Sequence, residues 1–421
     1  MKLIDRINKS LGTNRAVMAL SLARMADAMG NSILIILIPI YVAKLPHEML
    51  PFAVPILVGI LISAFGLVTS FFQPLMGALS DRLGRRKPLI IAGLAIIGIS
   101  TFAFIFADQF LDLLLLRVLQ AVGVALTIPA SLSLMTAVTH RSTRGGSMGV
   151  YSTFRMIGFA IGPVTGGFLQ VHYGFNAAFY VGAGLIFLAI IFVEIWVDEV
   201  RMEDTGDGTN RFKVFDLSLF SSGILSAASA TFAMACAFSM ITTLENEFNS
   251  RLDITAFGFS VAFSMLMVGR LLFQVPLGKY SDYIGRKPVI LVGLILMGIA
   301  TALLGEAATI KHLIILRLAQ GVAAAGVAAP AFAIAADLSK RGGEGRQMSV
   351  ITMGFTMGIA LGPLLAGVLS ISFFELPFLT IGSFCLVSAW IVYRYMPETM
   401  KGDAVIFKSP AHQKTKVCHE H

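Results

Sequence analysis

The sequence predicts an all-α integral membrane protein, with twelve transmembrane helices in two parallel repeats of six helices. The chain of 421 residues is 56% hydrophobic and only 13% charged, whereas a soluble chain carries about 25% charged residues. Apolar stretches of about 20 residues, the length that crosses a bilayer core as a helix, recur along the whole sequence. In lipid, only helices and closed barrels satisfy all backbone hydrogen bonds. Barrel strands are much shorter than these stretches, so the spans are predicted to be helices.

Twelve apolar stretches are long enough to be membrane spans. They begin near Val17, Ala53, Leu89, Leu113, Met148, Ala177, Phe220, Thr255, Val289, Leu313, Met348 and Leu376. The stretch between the sixth and seventh spans is polar and charged, which is typical of a linker. We therefore expect a first half at residues 1–197, a linker at 198–219, a second half at 220–396 and a tail at 397–421.

Basic residues are distributed unevenly between the two sides of the predicted spans. Of the 32 Lys and Arg residues, 23 lie in the two tails and the loops on their side, and three lie in the opposite loops: Lys44, Arg251 and Lys311. By the positive-inside rule, both termini are predicted to be cytoplasmic, with the protein in a bacterial inner membrane. Because the net charge of +8 is spread over many loops, nucleic acid is not an expected partner.

Three motifs occur twice, about 200 residues apart. GALSDRLGRRKPL at 77–89 returns as GKYSDYIGRKPVI at 278–290, and LRVLQAVG returns as LRLAQGVA. GFAIGPVTGG at 158–167 returns as GIALGPLLAG at 358–367. Six spans separate the copies, so both halves have the same orientation. Parallel six-span repeats are a known transporter plan, with the substrate site near the membrane midplane between the halves.

The two charged loops, 77–89 and 278–290, each join two spans on the predicted cytoplasmic side. The residues that carry their pattern are Gly77, Asp81, Arg82, Gly84, Arg85, Arg86, Gly278, Asp282, Gly285 and Arg286. Gly84 and Gly285 permit a tight turn with positive φ. Gly77 and Gly278 are expected to let a neighbouring helix approach closely. The two aspartates are expected either to accept hydrogen bonds from amides at the start of the next helix or to pair with arginines.

The first charged loop resembles the signature loop of the major facilitator superfamily, G-x-L-x-D-R-x-G-R-[RK]. The second copy departs from that pattern, with Tyr280 and Tyr283 in place of leucine and arginine. Together with the twelve spans and the other repeats, the resemblance covers essentially the whole chain and implies that fold. It also implies that the charged loops latch the cytoplasmic side in one state and rearrange when the halves rock. The alternative is an anchor that only sets topology.

A glycine motif in the fifth predicted span bears on the direction of transport. Its residues are Gly158, Gly162, Pro163, Gly166 and Gly167. Three of these glycines recur every four residues on one helix face, a spacing that permits close packing. The stretch resembles the G-x-x-x-G-P-x-x-G-G signature of proton-coupled exporters in the family, and the first span resembles that of tetracycline/proton antiporters, with Ile36 at a proline position. The resemblance implies a drug/proton antiporter. The alternative is tight packing alone.

Asp27 lies about ten residues into the first predicted span, and no other acid is expected deep in a span; Glu245 is expected at a span edge. An ionisable group at the bilayer centre costs about 3 to over 10 kcal/mol, so such a residue is a functional candidate. A carboxyl group removed from water can bind and release protons as a proton-coupled antiporter requires. The alternative is permanent pairing with Arg24, three residues earlier, which would disfavour proton binding.

Arg117 lies in the fourth predicted span, three residues before Gln120 on the same helix face. The pair resembles the R-x-x-Q-G motif of the family, which implies a part in proton transfer; Ala121 replaces the glycine of that motif. The alternative is a structural arginine bonded to helix-end carbonyls or to Asp108 or Asp112.

Polar residues inside the spans are candidates for lining a substrate cavity. They are Arg24, Asn31, Gln120, Arg155, Ser226, Ser229 and Arg270. Arg155 and Arg270 lie toward the cytoplasmic ends of their spans and can bind an anionic substrate group. Alternatively, their side chains extend to the interface or make contacts between the halves.

The predicted function is secondary active transport, namely proton-coupled efflux of small amphipathic compounds by alternating access. The expected partners are a small-molecule substrate, protons and the lipid bilayer, with a monomer as the functional unit and no cofactor or metal. The main alternative is an importer of a specific metabolite or a lipid flippase on the same fold. A membrane-embedded enzyme is not expected, because the sequence contains neither H-E-x-x-H nor a nucleophile motif.

Overall fold

The computed structural model describes residues 14–45, 51–83, 85–139, 144–199, 221–338 and 344–399. Twelve long helices account for most of these residues. They are α1 (Arg15–Val42), α2 (Val54–Leu83), α3 (Lys87–Ala103), α4 (Phe110–Val138), α5 (Arg144–Tyr173), α6 (Phe175–Trp196), α7 (Ser222–Leu252), α8 (Ala256–Ile284), α9 (Arg286–Leu304), α10 (Ile310–Leu338), α11 (Glu344–Leu369) and α12 (Leu376–Tyr395). In α7, a 3-10 turn at Met240–Leu244 separates two α-helical segments.

The helices confirm the predicted all-α membrane fold. The largest difference between a predicted and an observed start is four residues, at Met148 against Arg144 and again at Met348. Eleven of the described helices are long and apolar enough to cross a membrane. The twelfth, α5, has 30 residues but contains many glycines and Arg155, and it packs against α1 and α8. Residues 200–220 of the predicted linker and 400–421 of the predicted tail lie outside the described residues.

Helix pairs repeat with an offset of six helices, as expected for two parallel repeats. In the first half (α1–α6), α1 packs against α5, α2 against α4, and α3 against α6. In the second half (α7–α12), α7 packs against α11, α8 against α10, and α9 against α12. The two halves meet through α2 with α11 and through α5 with α8, which are equivalent pairs under the same repeat.

The glycine motif of α5 packs against α1, which confirms the predicted close approach. A Cβ atom at Gly158 would lie 2.5 Å from the Met25 carbonyl oxygen, and one at Gly162 would lie 2.7 Å from the Met29 carbonyl oxygen. Ser32 closes the contact by donating a hydrogen bond to the Gly158 carbonyl oxygen at 3.3 Å. The second half repeats the arrangement between α11 and α7. Because these positions of α5 are glycines, its backbone approaches the backbone of α1 closely.

The contacts between the halves lie away from the charged loops. We call the end of the helix bundle with Arg86 and Arg286 the charged end, and the other the opposite end. A Cβ atom at Gly59 would lie 2.8 Å from the Pro363 carbonyl oxygen, and one at Gly167 would lie 2.9 Å from the Ala256 carbonyl oxygen. Both contacts are in the parts of α2, α5, α8 and α11 nearer the opposite end. The Asn246 amide also donates to the Pro39 carbonyl oxygen at 2.7 Å. These contacts join the halves at the opposite end.

Candidate proton and substrate site

Four charged side chains from three helices form the candidate site, which we call the cationic pocket: Arg24 and Asp27 of α1, Arg155 of α5 and Arg270 of α8. Asp27 is 4% exposed and pairs with Arg24 one turn earlier. Arg155 interacts electrostatically with both of these residues and with Arg270. The close packing of α5 on α1 explains the meeting, because Arg155 lies three residues before Gly158.

The ion pair between Arg24 and Asp27 was the alternative to proton binding at Asp27, and it is formed in this conformation. Arg24 keeps its Nε atom buried and without a hydrogen-bond partner in the described part of the chain. An ion pair that leaves one donor unsatisfied is less stable than a fully bonded one. The proton-binding role of Asp27 stays a prediction.

Arg117 of α4 forms a separate buried cluster, which reaches Asn31 on the next turn of α1 after Asp27. Its Nη1 atom donates to the side-chain oxygens of Asn31 and Gln120, both at 3.1 Å. Gln120 in turn donates to the Thr101 hydroxyl at 2.8 Å. The guanidinium group lies 4.4 Å from the centroid of the Phe65 ring. Because Asn31 lies four residues after Asp27, the two clusters share one face of α1.

The suggested pairing of Arg117 with Asp108 or Asp112 is wrong. The Asp112 carboxylate instead accepts hydrogen bonds from the backbone N–H groups of Asp108 and Gln109, at 3.2 and 3.0 Å. It thereby caps the start of α4, where the first amides have no partner within the helix.

The second half contains a matching cluster with one difference. Arg317 donates to Gln320 at 2.7 Å, and Gln320 donates to Thr301 at 2.8 Å. The guanidinium group packs beside the rings of Phe238 and Phe263, at 6.0 and 5.0 Å from their centroids. The first-half cluster has an amide partner from α1, whereas Arg317 packs against two aromatic rings.

Thr101 and Thr301 were missed by the sequence reasoning. They lie 200 residues apart, the same offset that separates the repeated motifs. A search for polar residues in spans at that offset would have found them.

The two serines proposed to line the cavity make contacts within the second half. Ser226 donates to the Ser222 carbonyl oxygen at 2.6 Å, and Ser229 shares a hydrogen bond with Ser388 of α12 at 3.2 Å. Their hydroxyl groups are therefore engaged in helix packing, and a substrate contact stays a prediction.

Glu245 lies in the last helical segment of α7, toward the opposite end. α7 continues past it to Leu252. The side chain is fully buried, and neither carboxylate oxygen has a hydrogen-bond partner in the described ranges. The polar side chain beside it is Asn249, one turn further on. A helix crosses a bilayer core in about 20 residues, and Glu245 lies beyond that length from the start of α7. Its place at a span edge, and Asp27 as the one acid deep in a span, therefore stay predictions.

An ion pair at the opposite end ties α7 to the start of α12. Arg251 donates to Glu375 at 2.9 Å and lies 3.8 Å from the centroid of the Phe374 ring. Hydrogen bonds from its own backbone and from Arg251 lower the pKa of Glu375. The carboxylate therefore remains ionised at neutral pH, and the pair persists there.

The second charged loop has the predicted turn but a different amide cap. Gly285 has φ +106°, which confirms the predicted positive φ. Asp282 pairs with Arg286 at 3.3 Å, which is one of the two contacts expected for the loop aspartates. The amides of Arg286 and Lys287 instead donate to Glu398, at 3.0 and 3.1 Å.

The first charged loop repeats this cap. The Arg86 amide donates to Glu199 at 3.0 Å. Arg82 and Arg85 are exposed, whereas Arg86 is buried. Gly84 and the side chain of Asp81 lie outside the described residues.

The expected close helix approach at Gly77 and Gly278 is wrong for this conformation. A Cβ atom at Gly77 would meet Pro129 at 3.6 Å, and one at Gly278 would meet Ala329 at 3.5 Å. These are ordinary van der Waals distances, so at both positions the neighbouring helix is far enough away for a Cβ atom.

We expect Glu398→Ala to destabilise the second charged loop. The substitution leaves two amides at the start of α9 without their acceptor, and loss of a helix cap costs about 1 kcal/mol. Thermal unfolding of the purified protein in detergent measures the effect. Glu398→Gln, which keeps one acceptor oxygen, should lose less. Equal stability of Glu398→Ala and wild type would contradict the assigned cap.

The fold and the site define a multi-pass membrane protein with two related halves around a buried ionisable centre. The sequence matches the family model of the Major Facilitator Superfamily over residues 20–246 and over residues 223–416. The chain belongs to this superfamily of membrane transporters.

Individual proteins and a solved structure that resemble this chain agree with the assignment to the superfamily. An uncharacterized MFS-type transporter of Methanocaldococcus jannaschii is 25% identical over 328 residues, covering 74% of this chain and 82% of that protein. The synaptic vesicular amine transporter of Mus musculus is 27% identical over 320 residues, covering 74% of this chain and 61% of that protein. The structure of a bacterial homolog to the human lysosomal transporter Spinster, inward-facing and occupied, aligns with a TM-score of 0.76 at 14% identity, over 90% of this chain and 95% of that chain.

Proposed function

We propose that this chain is a proton-coupled exporter of small amphipathic compounds, of the drug/proton antiporter type. The observation that carries the proposal is Asp27, a carboxylate that is 4% exposed in a spanning helix and is paired with an arginine of the same helix. The exporter-type glycine motif supports it, because Gly158 packs against the Met25–Met29 segment that carries Asp27. A change at Asp27 is therefore transmitted to α5 through backbone contact.

Protonation of Asp27 changes the charge of the cationic pocket. While it is ionised, Asp27 offsets the charge of Arg24. A proton on Asp27 removes that offset and leaves three guanidinium groups, two from the first half and Arg270 from the second. Their repulsion in a site of low dielectric favours separation of the halves around the pocket. Proton binding is thus proposed to favour the conformation that is open at the charged end.

The contacts between the halves support alternating access. The halves meet at the opposite end through Gly59, Gly167 and Asn246. Arg286 pairs with Asp282 and Asp337 of its own half. We propose that residues 1–197 and 220–396 rock as two domains about the pocket, as a monomer, and that the charged loops form a latch between them when the charged end closes. Both termini are proposed to be cytoplasmic, in a bacterial inner membrane.

Accumulation of compounds in an efflux-deficient bacterial host tests the proposed function. Cells with wild-type protein or empty vector would be compared with and without a protonophore, across lipophilic cations, neutral drugs and organic acids. The proposal predicts lower accumulation of at least one class in wild-type cells, abolished by the protonophore. Higher accumulation in wild-type cells would contradict efflux and indicate an importer.

We expect Thr101→Val to slow transport and the matched Thr301→Val to leave it near the wild-type rate. Each substitution removes the acceptor of a glutamine amide, at a cost of about 1 kcal/mol in stability. Only the first-half cluster reaches α1, through the hydrogen bond from Arg117 to Asn31 one turn from Asp27. Initial transport rates, normalised to protein amount, measure the difference. Equal rates for the two variants would contradict a coupling role for the Arg117 cluster.

A further inference from the structure

We propose that the cationic pocket binds an anionic group of the substrate, a carboxylate, phosphate or sulfonate. This inference rests on the proposed transport function for its biological meaning, although binding itself can be measured without transport. It names the substrate class that the pocket selects among small amphipathic compounds.

Arg155 supplies the first observation. It makes no hydrogen bond and no ion pair with any described residue, and the contact it does make is with the Phe159 ring, 5.9 Å from the guanidinium carbon to the ring centroid. Its side chain is only partly exposed. A guanidinium group has five donors, so a partly buried one without an acceptor is an available anion site.

Arg270 belongs to the second half, on the other side of the α5–α8 interface from Arg155, and its partners are neutral. It is 7% exposed, its Nε atom donates to Gln274 at 3.2 Å, and its guanidinium carbon lies 5.8 Å from the centroid of the Phe355 ring. An amide oxygen and an aromatic ring do not neutralise a buried cation as a carboxylate does. The second half thus presents a cation to the pocket without a charged partner.

The charges of the pocket do not balance. Arg155 interacts with two further guanidinium groups, Arg24 and Arg270, and with one carboxylate, Asp27, so the four side chains together carry a net charge of +2. The single carboxylate is already paired with Arg24. Arg155 and Arg270 therefore repel each other across the interface between α5 and α8. An anion placed between them would replace this repulsion with two charge-assisted contacts.

The position of the two arginines connects anion binding to the direction of movement. Arg155 belongs to the first half and Arg270 to the second, and both lie nearer the charged end than the Gly167–Ala256 contact. Closing the charged end brings them together, which a bound anion favours and a proton on Asp27 opposes. Substrate and proton thus bias the two halves in opposite directions, as an antiporter requires.

Direct binding to purified protein tests the inference. The probes share one dansyl-alkyl scaffold and differ only in the end group: carboxylate, phosphate, sulfonate, neutral amide or ammonium. Fluorescence titration of wild-type protein in neutral detergent should give tighter binding of at least one anionic probe than of the amide or ammonium probe. Tighter or equal binding of the ammonium probe, or no binding by any anionic probe, would overturn the proposal.

Variants locate the binding group. Arg155→Gln and Arg270→Gln should each weaken binding of the anionic probe by about tenfold, the loss expected for one charge-assisted hydrogen bond, and leave the amide probe unaffected. Arg155→Lys should restore part of the affinity. Arg394→Gln, which removes an exposed arginine at the charged end of α12, is the matched control and should bind as wild type does. An equal loss for the anionic and neutral probes in both pocket variants would also overturn the proposal.

Competition identifies the source of the anion. Phosphatidylglycerol added to the detergent micelles should displace the anionic probe if the natural ligand is a lipid headgroup, whereas a soluble alkyl carboxylate should displace it if the ligand is a free organic anion. Displacement by either supports the anion site, and displacement by neither overturns it. The binding assay contains no proton gradient, so its result does not depend on transport. If the protein fails the efflux test but binds anionic probes selectively, the proposed function is wrong and the anion site is retained.

Discussion

Asp27→Asn is expected to abolish proton-driven transport to the level of empty liposomes while leaving exchange of substrate across the membrane. Asparagine has nearly the same shape as a protonated aspartate but cannot release or accept the proton. The variant therefore retains the protonated form of the pocket in every step. If Asp27 is the coupling group, a pH gradient can no longer drive substrate movement, because no proton is carried.

Two assays on purified protein in liposomes separate these activities. The first measures uptake driven by an imposed pH gradient, and the second measures exchange of labelled for unlabelled substrate without a gradient. The variant should fail the first and retain the second. Asp27→Glu, which keeps the carboxylate, should retain part of the gradient-driven uptake. Gradient-driven uptake by Asp27→Asn at the wild-type rate would assign coupling to another group.

A variant at Arg24 distinguishes static pairing from coupling. If the pair with Asp27 serves only to neutralise a buried charge, Arg24→Gln should lower stability as Asp27→Asn does, since each leaves its partner alone in the interior. If Asp27 carries the proton, Arg24→Gln should still couple, with an altered pH dependence. The comparison needs the thermal unfolding and the gradient-driven rate of both variants.

Gly158→Leu is expected to disrupt the packing of the first half. A Cβ atom at this position would lie 2.5 Å from the Met25 carbonyl oxygen and 3.1 Å from the Met29 amide nitrogen, both backbone atoms of α1. Backbone atoms cannot rotate away as a flexible side chain can, so the helices must separate. Overpacking of this kind costs about 3 kcal/mol or more. The expected result is a large loss of folded protein in the membrane.

Gly149 of the same helix provides the matched control. A Cβ atom there meets nothing within 4 Å, and the residue is exposed. Gly149→Leu should therefore change stability by less than about 0.5 kcal/mol. Expression level and thermal unfolding in detergent, measured for both variants, test the contrast. A Gly158→Leu protein as stable as Gly149→Leu would contradict the α1–α5 contact on which the pocket depends.

Local sequence patterns were sufficient to predict the helices and the repeat. Span length and hydrophobicity depend on the bilayer and not on neighbours, so every helix start was predicted to within four residues. The stripe of Gly158, Gly162 and Gly166 also predicted close packing against another helix, because small residues at a spacing of four can be recognised from the sequence of one helix.

Features that depend on contacts between distant segments were not predicted. Glu199 and Glu398 cap the helices that follow the charged loops, although they lie 113 and 112 residues from their partners. The burial of Glu245 follows from the way α7 continues past Met240–Leu244. The meeting of Arg155 with Asp27 and Arg270 depends on three helices at once. Single-sequence reasoning identified the residues of the pocket but could not bring them together.

The most direct test of the central claim is proton movement caused by substrate. Purified wild-type protein in liposomes with an internal pH-sensitive dye would receive an inward gradient of the compound with the largest effect in the accumulation assay, with the membrane potential held at zero. Proton antiport predicts that the lumen becomes more alkaline as substrate enters, and that empty liposomes and Asp27→Asn show no such change. Substrate entry without a change in lumen pH, or with acidification, would contradict proton antiport.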